Sequence, residues 1–342
     1  MIFVTGGTGM VGAHLLYDLA LKGEKVRALK RPGSNIHKTE KIFSFYTADY
    51  KPLLQNIEWV EGDILDKEDL YELLIGVDRI YHAAAIVSFD PNDRGLMFEN
   101  NCDGTANLVD VALSLKVPRF CYVSSIAAIG TPPEGIEANE FHPWRNSNAH
   151  SAYAESKYVS EMEIWRGTIN GLNAVIVNPS VILGPGDWKS SGSPGIFFNV
   201  RKGLKFYTKG GTGFVDVRDV TSAMWQLMQD DVWDKVKNQR FILNSENMLF
   251  RNLFGQIAIA LKVDPPKYFV GKTLLNLAGL LSRIQGFLTG SRTKLTKEMI
   301  RSANMISYYD GSKICNEIGF SYLPIEASIR NISGIYLKDT VH

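Results

Sequence analysis

Thr5-Gly6-Gly7-Thr8-Gly9-Met10-Val11-Gly12 is the stretch on which the fold of this chain turns. The short apolar run Ile2–Val4 leads into it. Met10 to Lys22 follows, with apolar residues at helical spacing: Val11, Leu15, Leu16 and Leu19. Strand, glycine turn and helix in that order make a cradle for a dinucleotide pyrophosphate. Glycines at 6, 9 and 12 let the phosphates approach the backbone where a Cβ would block them. The donors are unpaired amides at the helix N-terminus, aided by the helix dipole. Gly12 lets helix and strand pack closely.

The same alternation continues along the first half. Lys25–Leu29, Ile57–Val60, Arg79–Ala83, Arg119–Ser124 and Ala174–Val177 read as strands. Asp66–Ile75, Phe98–Leu115 and Ser151–Arg166 read as helices. The strands are apolar runs rather than alternating patterns, which suits a sheet buried on both faces. This predicts an α/β fold, a Rossmann-type doubly wound parallel sheet with the ligand along one edge. After about Pro179 the alternation breaks. Val217–Met228 reads as a helix returning to the first layer, and Arg240–Leu243 as one more strand. The Rossmann domain is therefore expected over 1–178 plus about 214–244. A smaller, mainly helical substrate lobe is expected over about 179–213 and 245–342. The long connection from Gly33 to Asn56 has room for one short helix, and such lengths often carry function.

Composition narrows the function. The 342 residues are 45% hydrophobic and 21% charged, which excludes a disordered chain or a disulfide-built mini-protein. Lys+Arg is 37 and Asp+Glu is 36, so no overall charge draws the chain to nucleic acid, although a local basic patch stays open. Three cysteines without a CxxC pair suit a reducing, cytoplasmic setting. The opening residues lack the basic and apolar regions of a secretory leader. Leu274–Leu281 is far short of the roughly 20 apolar residues that span a bilayer. The apolar stretch Tyr268–Leu288 is read as a lid or core helix, without stable membrane insertion. His142 and His150 lack metal-ligand spacing, so no metal is expected. His82 follows a strand and is read as a packing residue. Trp144, Trp165, Trp188 and Phe197–Phe198 are read as core more readily than as pocket lining.

The second strand ends Val26-Arg27-Ala28-Leu29-Lys30-Arg31-Pro32. An acid there would bind the ribose hydroxyls of NAD. Lys30 and Arg31 stand instead, and Arg31 offers a fork for a 2′-phosphate. The expected cofactor is NADP(H), with NAD(H) as the alternative. Tyr153 and Lys157 are four apart on a predicted helix and share a face. An ammonium near a phenol lowers the phenol's pKa, so the pair suits a general acid/base. Tyr268…Lys272 and Tyr309…Lys313 repeat the spacing, but only Tyr153 follows a strand ending in serines, Val123-Ser124-Ser125. A serine there can hydrogen-bond a substrate carbonyl.

Together with Gly62-Asp63, His82-Ala83-Ala84-Ala85 and Asn101-Cys102-Asp103-Gly104-Thr105, these motifs run in one recognisable order. Over roughly residues 1–235 the chain resembles the extended short-chain dehydrogenases/reductases, also called the NAD-dependent epimerase/dehydratase family. The resemblance implies a Rossmann domain with a C-terminal substrate lobe. It implies Ser125, Tyr153, Lys157 and Asn101 as the catalytic set, Asn101 by holding the active-site helix or its water. It implies cofactor contacts from Gly6, Thr8, Gly9, Met10, Val11 and Gly12. Further contacts fall to Asp63 and Ile64, to Ala83, Ala84 and Ala85, and to Pro179, Ser180 and Val181. Tyr153 and Lys157 would also touch the cofactor. Family members are often dimers through two helices, so a homodimer is open.

Two departures point within the family. Sugar-nucleotide members typically carry an Arg-Asp pair where this chain has Thr212 and Gly213, and Thr212 cannot neutralise a diphosphate. Dehydratases place acids after the active-site Ser or Thr, and Ser125-Ile126-Ala127-Ala128 has none. With Lys30-Arg31, the chain looks most like the dihydroflavonol-4-reductase-like branch. That implies reduction of a ketone or aldehyde on a small, apolar substrate. Arg218 keeps an epimerase or dehydratase open, and a cofactor-binding sensor without chemistry is the third reading.

Overall fold

In the first strand, β1 (Ile2–Thr5), successive side chains leave opposite faces. Ile2 and Val4 pack on one side with Leu15, Leu16 and Leu19 of α1 (Met10–Leu21). Phe3 packs on the other with Ile80, Leu108 and Phe120. A strand wanted by cores on both faces has to be apolar throughout. The computed structural model describes residues 1–133, 135–145, 150–190, 192–277, 279 and 296–340.

β1 pairs in parallel with β2 (Val26–Lys30) and β4 (Arg79–His82). β3 (Ile57–Glu61) extends the sheet beyond β2, and β5 (Arg119–Val123) beyond β4. Ala174–Pro179 and then Gln239–Leu243 complete seven parallel strands on the β5 side. The fold is thus the expected Rossmann-type α/β sheet flanked by helices. The chain builds away from β1 in one direction and then returns to build in the other. Helices leave to opposite sides there, which opens a crevice at the C-terminal ends of β1 and β4.

The connection Gly33–Asn56 holds two helices, His37–Tyr46 and Lys51–Leu54, rather than one. The expected helix Phe98–Leu115 begins earlier, at Arg94, and carries a π-helical turn over Glu99–Asp103. The second half contains a small sheet that the sequence pattern hides. Gly211–Asp216 pairs with Val181–Leu183 and with Glu246–Leu249. Its first residues, Gly-Thr-Gly, have little strand propensity, so tertiary packing places them. Gly213 is needed there, since a Cβ would lie 2.1 Å from Asn244 Oδ1. Phe197, Phe214, Leu253, Ile257 and Ile329 form a buried cluster beside this small sheet.

The stretch Tyr268–Leu288 begins as a strand, Tyr268–Phe269, paired with Phe206–Tyr207, and continues as helix over 272–277. Beyond that, apart from residue 279, it lies outside the described residues. Among the described residues no helix is long and apolar enough to cross a membrane.

The last helix, Ile325–Thr340, is docked through Asp219, whose Oδ2 accepts from Leu323 N at 3.0 Å. Burial raises the Asp219 carboxyl to about 7, with the Leu323 hydrogen bond opposing and Asp216 adding to it. The folded value lies above the ordinary one near 3.8. Its contribution is therefore fully present at low pH and lost as pH rises through about 7. Asp219→Asn is expected to remove that loss. Urea titrations at pH 5 and pH 8 should show the variant gaining on the parent chain at pH 8. An unchanged difference at the two values would contradict it.

Candidate active site

The glycine turn is held by its own backbone. Gly9 N donates to Gly6 O at 2.9 Å, and Gly6 sits at φ +74, which favours glycine. A Cβ on Gly12 would lie 2.2 Å from Gly6 O, so only glycine lets α1 come this close to the turn. No side chain caps the N-terminus of α1, and its first turn has no acid. The amides and the dipole there remain available for an anion.

Two cavities open from this turn. The smaller, of about 210 Å³, is lined by Gly6, Thr8, Gly9, Lys30, Arg31, Ser34, Ile64 and Ala83–Ala85 among others. The larger, of about 1260 Å³, is a cleft shared by Thr8, Gly9, Met10, Ser125, Tyr153 and Pro179–Val181. Ser180 Oγ is buried in its wall without a hydrogen-bond partner. A glycine turn with open amides, a basic strand end, a narrow cavity joined to a wide cleft and an unsatisfied wall hydroxyl together fit a dinucleotide.

Tyr153 and Lys157 lie on the helix Ala152–Ile169, started by Ser151, whose Oγ accepts from Ala154 N at 3.0 Å. Ser125 lies two residues beyond β5 and caps the short turn Ile126–Ala128, its Oγ accepting from Ala127 N at 3.1 Å. Burial raises the Tyr153 phenol above its ordinary value, and a hydrogen bond with Ser125 pulls it back. Lys157 is fully buried and is not part of the cleft wall. Its Nζ donates to Tyr122 Oη and Val123 O, each at 2.8 Å. Burial lowers its pKa to about 7, against Glu161 and Cys102. The phenol and the serine thus face the cleft together, while the Lys157 amine is bound to the strand residues Tyr122 and Val123.

Asn101 does not reach the cleft. It brackets the loop after β4, accepting from Ile86 N at 2.7 Å and donating to Ile86 O at 2.9 Å. A third bond goes to Ser156 Oγ on the active-site helix at 3.1 Å. The π-helical turn aims it there, in line with the habit of such turns to sit at sites.

Glu161 is the residue that sequence reasoning missed. It is fully buried, one turn beyond Lys157. Oε2 accepts from Ser124 Oγ at 2.7 Å and Asn178 Nδ2 at 2.8 Å, and Oε1 from Arg240 Nη1 at 3.0 Å. Asn178 also donates to Ser125 O at 3.1 Å. One carboxylate therefore ties the serine strand end to the helix carrying Tyr153 and Lys157. A lone glutamate in a charged helix gave no signal of this.

The remaining predicted residues divide. Asp63 caps the turn after β3, accepting from Leu65 N at 3.0 Å, and lines neither cavity. Val11 packs against the core and Gly12 is buried. Lys30 is ion-paired to Glu61, whereas Arg31 is exposed beside the smaller cavity. Arg218 is bound twice to Asp216, at 2.9 and 2.7 Å, and does not line the cleft. Trp188 and Phe198 line the cleft, Phe197 and Trp165 pack in cores, and Trp144 stacks on His150 and Tyr158. His82 is buried between Thr5 and Thr105, at 2.7 and 2.9 Å, with its pKa pushed down to about 3 by burial. The cleft residues Ile86, Val87, Phe89, Phe45 and Met299 carry no motif, and only the fold collects them. Among the described residues no His/Cys/Asp/Glu group could hold a metal.

Residues 2–239 match the profile of the NAD dependent epimerase/dehydratase family. A Synechocystis protein named as a candidate dihydroflavonol 4-reductase is 31% identical, over 99% of this chain and 93% of that one. Sterol demethylase protein B of Methylococcus capsulatus is 31% identical over 71% of this chain and 69% of its own. The crystal structure of gox2253 superposes with a TM-score of 0.81 at 27% identity, covering 99% and 98% of the two chains. The fold is also that of the Streptomyces venezuelae dTDP-glucose 4,6-dehydratase DesIV with NAD bound, with a TM-score of 0.75 at 20% identity, covering 99% and 97%.

Proposed function

This chain belongs to the NAD dependent epimerase/dehydratase family and is an NAD(P)-dependent oxidoreductase of the extended short-chain type, and on that premise we propose that it reduces a carbonyl of an apolar substrate with NADPH. The observation that carries the reading is the composition of the cleft. Ser125 and Tyr153 face a wall of Ile86, Val87, Phe89, Ile126, Ile182 and Phe198. Lysines Lys38, Lys41 and Lys189 also line the cleft, but Lys38 pairs with Asp187 and Lys41 with Asp339. Arg218, the cation the sequence offered for a sugar diphosphate, is engaged by Asp216. The name of the Synechocystis relative, a candidate dihydroflavonol 4-reductase, agrees with a reductase.

The dinucleotide, when bound, supplies the hydride that adds to the carbonyl carbon. The chain supplies the rest. Ser125 Oγ and the Tyr153 hydroxyl hold the carbonyl oxygen, and Tyr153 donates the proton that makes the alcohol. Burial keeps the phenol protonated at neutral pH, which suits the reducing direction. Lys157, one turn along the same helix, supplies the positive charge that this reading assigns to the phenolate left behind, its Nζ being held by Tyr122 Oη and Val123 O. Asn101 positions the Ile86 loop and the helix. The test is NADPH oxidation with apolar aldehydes and ketones beside nucleotide sugars. Turnover of the nucleotide sugars alone would overturn the proposal.

NADPH preference rests on Arg31. Glu61 neutralises Lys30, so Arg31 carries the 2′-phosphate, with Ser34 on the same cavity wall. Arg31→Ser should weaken NADPH binding roughly 10- to 100-fold, the worth of a charge-assisted hydrogen bond, and leave NADH binding unchanged. Fluorescence quenching by each dinucleotide measures both. Equal losses for the two would remove Arg31 from this role.

A further inference from the structure

The chain is close to neutral overall, at a net charge of +1, yet two segments that meet through paired strands are strongly basic. Residues 202–209 and 262–272 hold six lysines, Lys202, Lys205, Lys209, Lys262, Lys267 and Lys272, against one acid, Asp264. Asp264 pairs with Lys267. Lys205, Lys209, Lys262 and Lys272 have no acidic partner among the described residues.

Large apolar side chains stand among these charges. The strands Phe206–Tyr207 and Tyr268–Phe269 form a two-stranded ribbon, with Phe206 facing Tyr268 at 6.1 Å between ring centroids. Phe206, Tyr268 and Phe269 are 54%, 61% and 55% exposed. The helix over 272–277 follows at once and exposes Leu274 and Leu277, three apart and so on one face. An exposed cluster of this kind is uncommon on a face that meets only water.

We propose that this face binds the surface of an anionic lipid bilayer. The lysines meet lipid phosphates, while Phe206, Tyr268, Leu274 and Leu277 enter the headgroup and acyl boundary. Aromatic and leucine side chains ringed by cations are the composition that such interfaces recognise. Two exposed leucines would gain nothing from a nucleic acid, which favours the bilayer over RNA as the source of phosphate. The face is continuous with the cleft. Lys202 stands over the ring of Phe198, 4.5 Å from its centroid, and Phe198 lines the cleft. Gly210 N donates to Ala303 O at 3.2 Å, joining the ribbon's end to the helix Lys297–Ser302, whose Met299 lines the cleft as well. An apolar substrate would thus enter from the membrane side.

Flotation of the full chain with vesicles tests this independently of the proposed reaction. Vesicles of phosphatidylcholine with an equal part of phosphatidylglycerol should carry the protein, and vesicles of phosphatidylcholine alone should carry it much less. Raising salt from about 0.1 M to about 0.5 M should lower binding at least fivefold, as screening shortens the reach of the lysines. Lys205→Glu with Lys267→Glu and Lys272→Glu should abolish it, with dinucleotide quenching retained as the sign of a folded chain. No flotation with anionic vesicles, flotation insensitive to salt, or tighter binding to poly(U) than to vesicles would each overturn the proposal.

Discussion

Tyr153→Phe is expected to lower kcat by roughly 10²–10⁴-fold, the usual weight of a positioned proton donor. The substitution removes one oxygen. The ring stays against the same cleft wall, beside Ser125, and the helix start at Ser151 is untouched. Dinucleotide binding should hold, because the glycine turn and the smaller cavity make no use of the phenol. The measurement is a pair: steady-state NADPH oxidation and fluorescence quenching by NADPH. Lost turnover with retained quenching is the expected result. Turnover within a few-fold of the parent enzyme would remove Tyr153 as the acid, and with it the reaction proposed above.

The second large effect is on stability. Glu161→Leu should cost about 3–5 kcal/mol, as breaking a buried charge pair does when the partner remains. Arg240, with 19% of its side chain exposed, loses its carboxylate partner. Ser124 Oγ loses its acceptor, Asn178 Nδ2 keeps only Ser125 O, and the buried Lys157 loses the anion one turn away that favours its charged form. Leucine fills the volume but answers none of these groups. Urea unfolding at neutral pH would show the loss directly. Glu161→Gln keeps an acceptor oxygen and should cost clearly less. A cost below about 1 kcal/mol for leucine would mean that the network is dispensable.

Glu161 also shows where sequence reading stops. The buried face of the helix Ala152–Ile169 carries Ser156, Lys157, Ser160 and Glu161. By pattern those residues belong in water. Each is buried because a partner waits for it: Asn101 Nδ2 for Ser156, Tyr122 for Lys157, Asn101 O for Ser160, and Ser124 with Asn178 and Arg240 for Glu161. None of those partners is local, so no periodicity could announce them. Tyr153…Lys157 was legible for the opposite reason, since one turn of helix is a local constraint. The ribbon of Phe206–Tyr207 with Tyr268–Phe269 joins segments about sixty residues apart and was legible only as composition.

What the amino-acid order determined by itself was the cradle and the sheet. Glycines at 6, 9 and 12 and apolar runs buried on both faces depend on sterics and burial within a few neighbouring residues. Tertiary structure alone decided which side chains meet across the cleft, that Lys157 rests on Tyr122, that Arg218 is bound to Asp216, and that Lys30 is bound to Glu61. Those outcomes depend on desolvation and on partners brought together from distant parts of the chain. A charge buried without a partner is too costly to persist, and only the completed fold determines which partner it has.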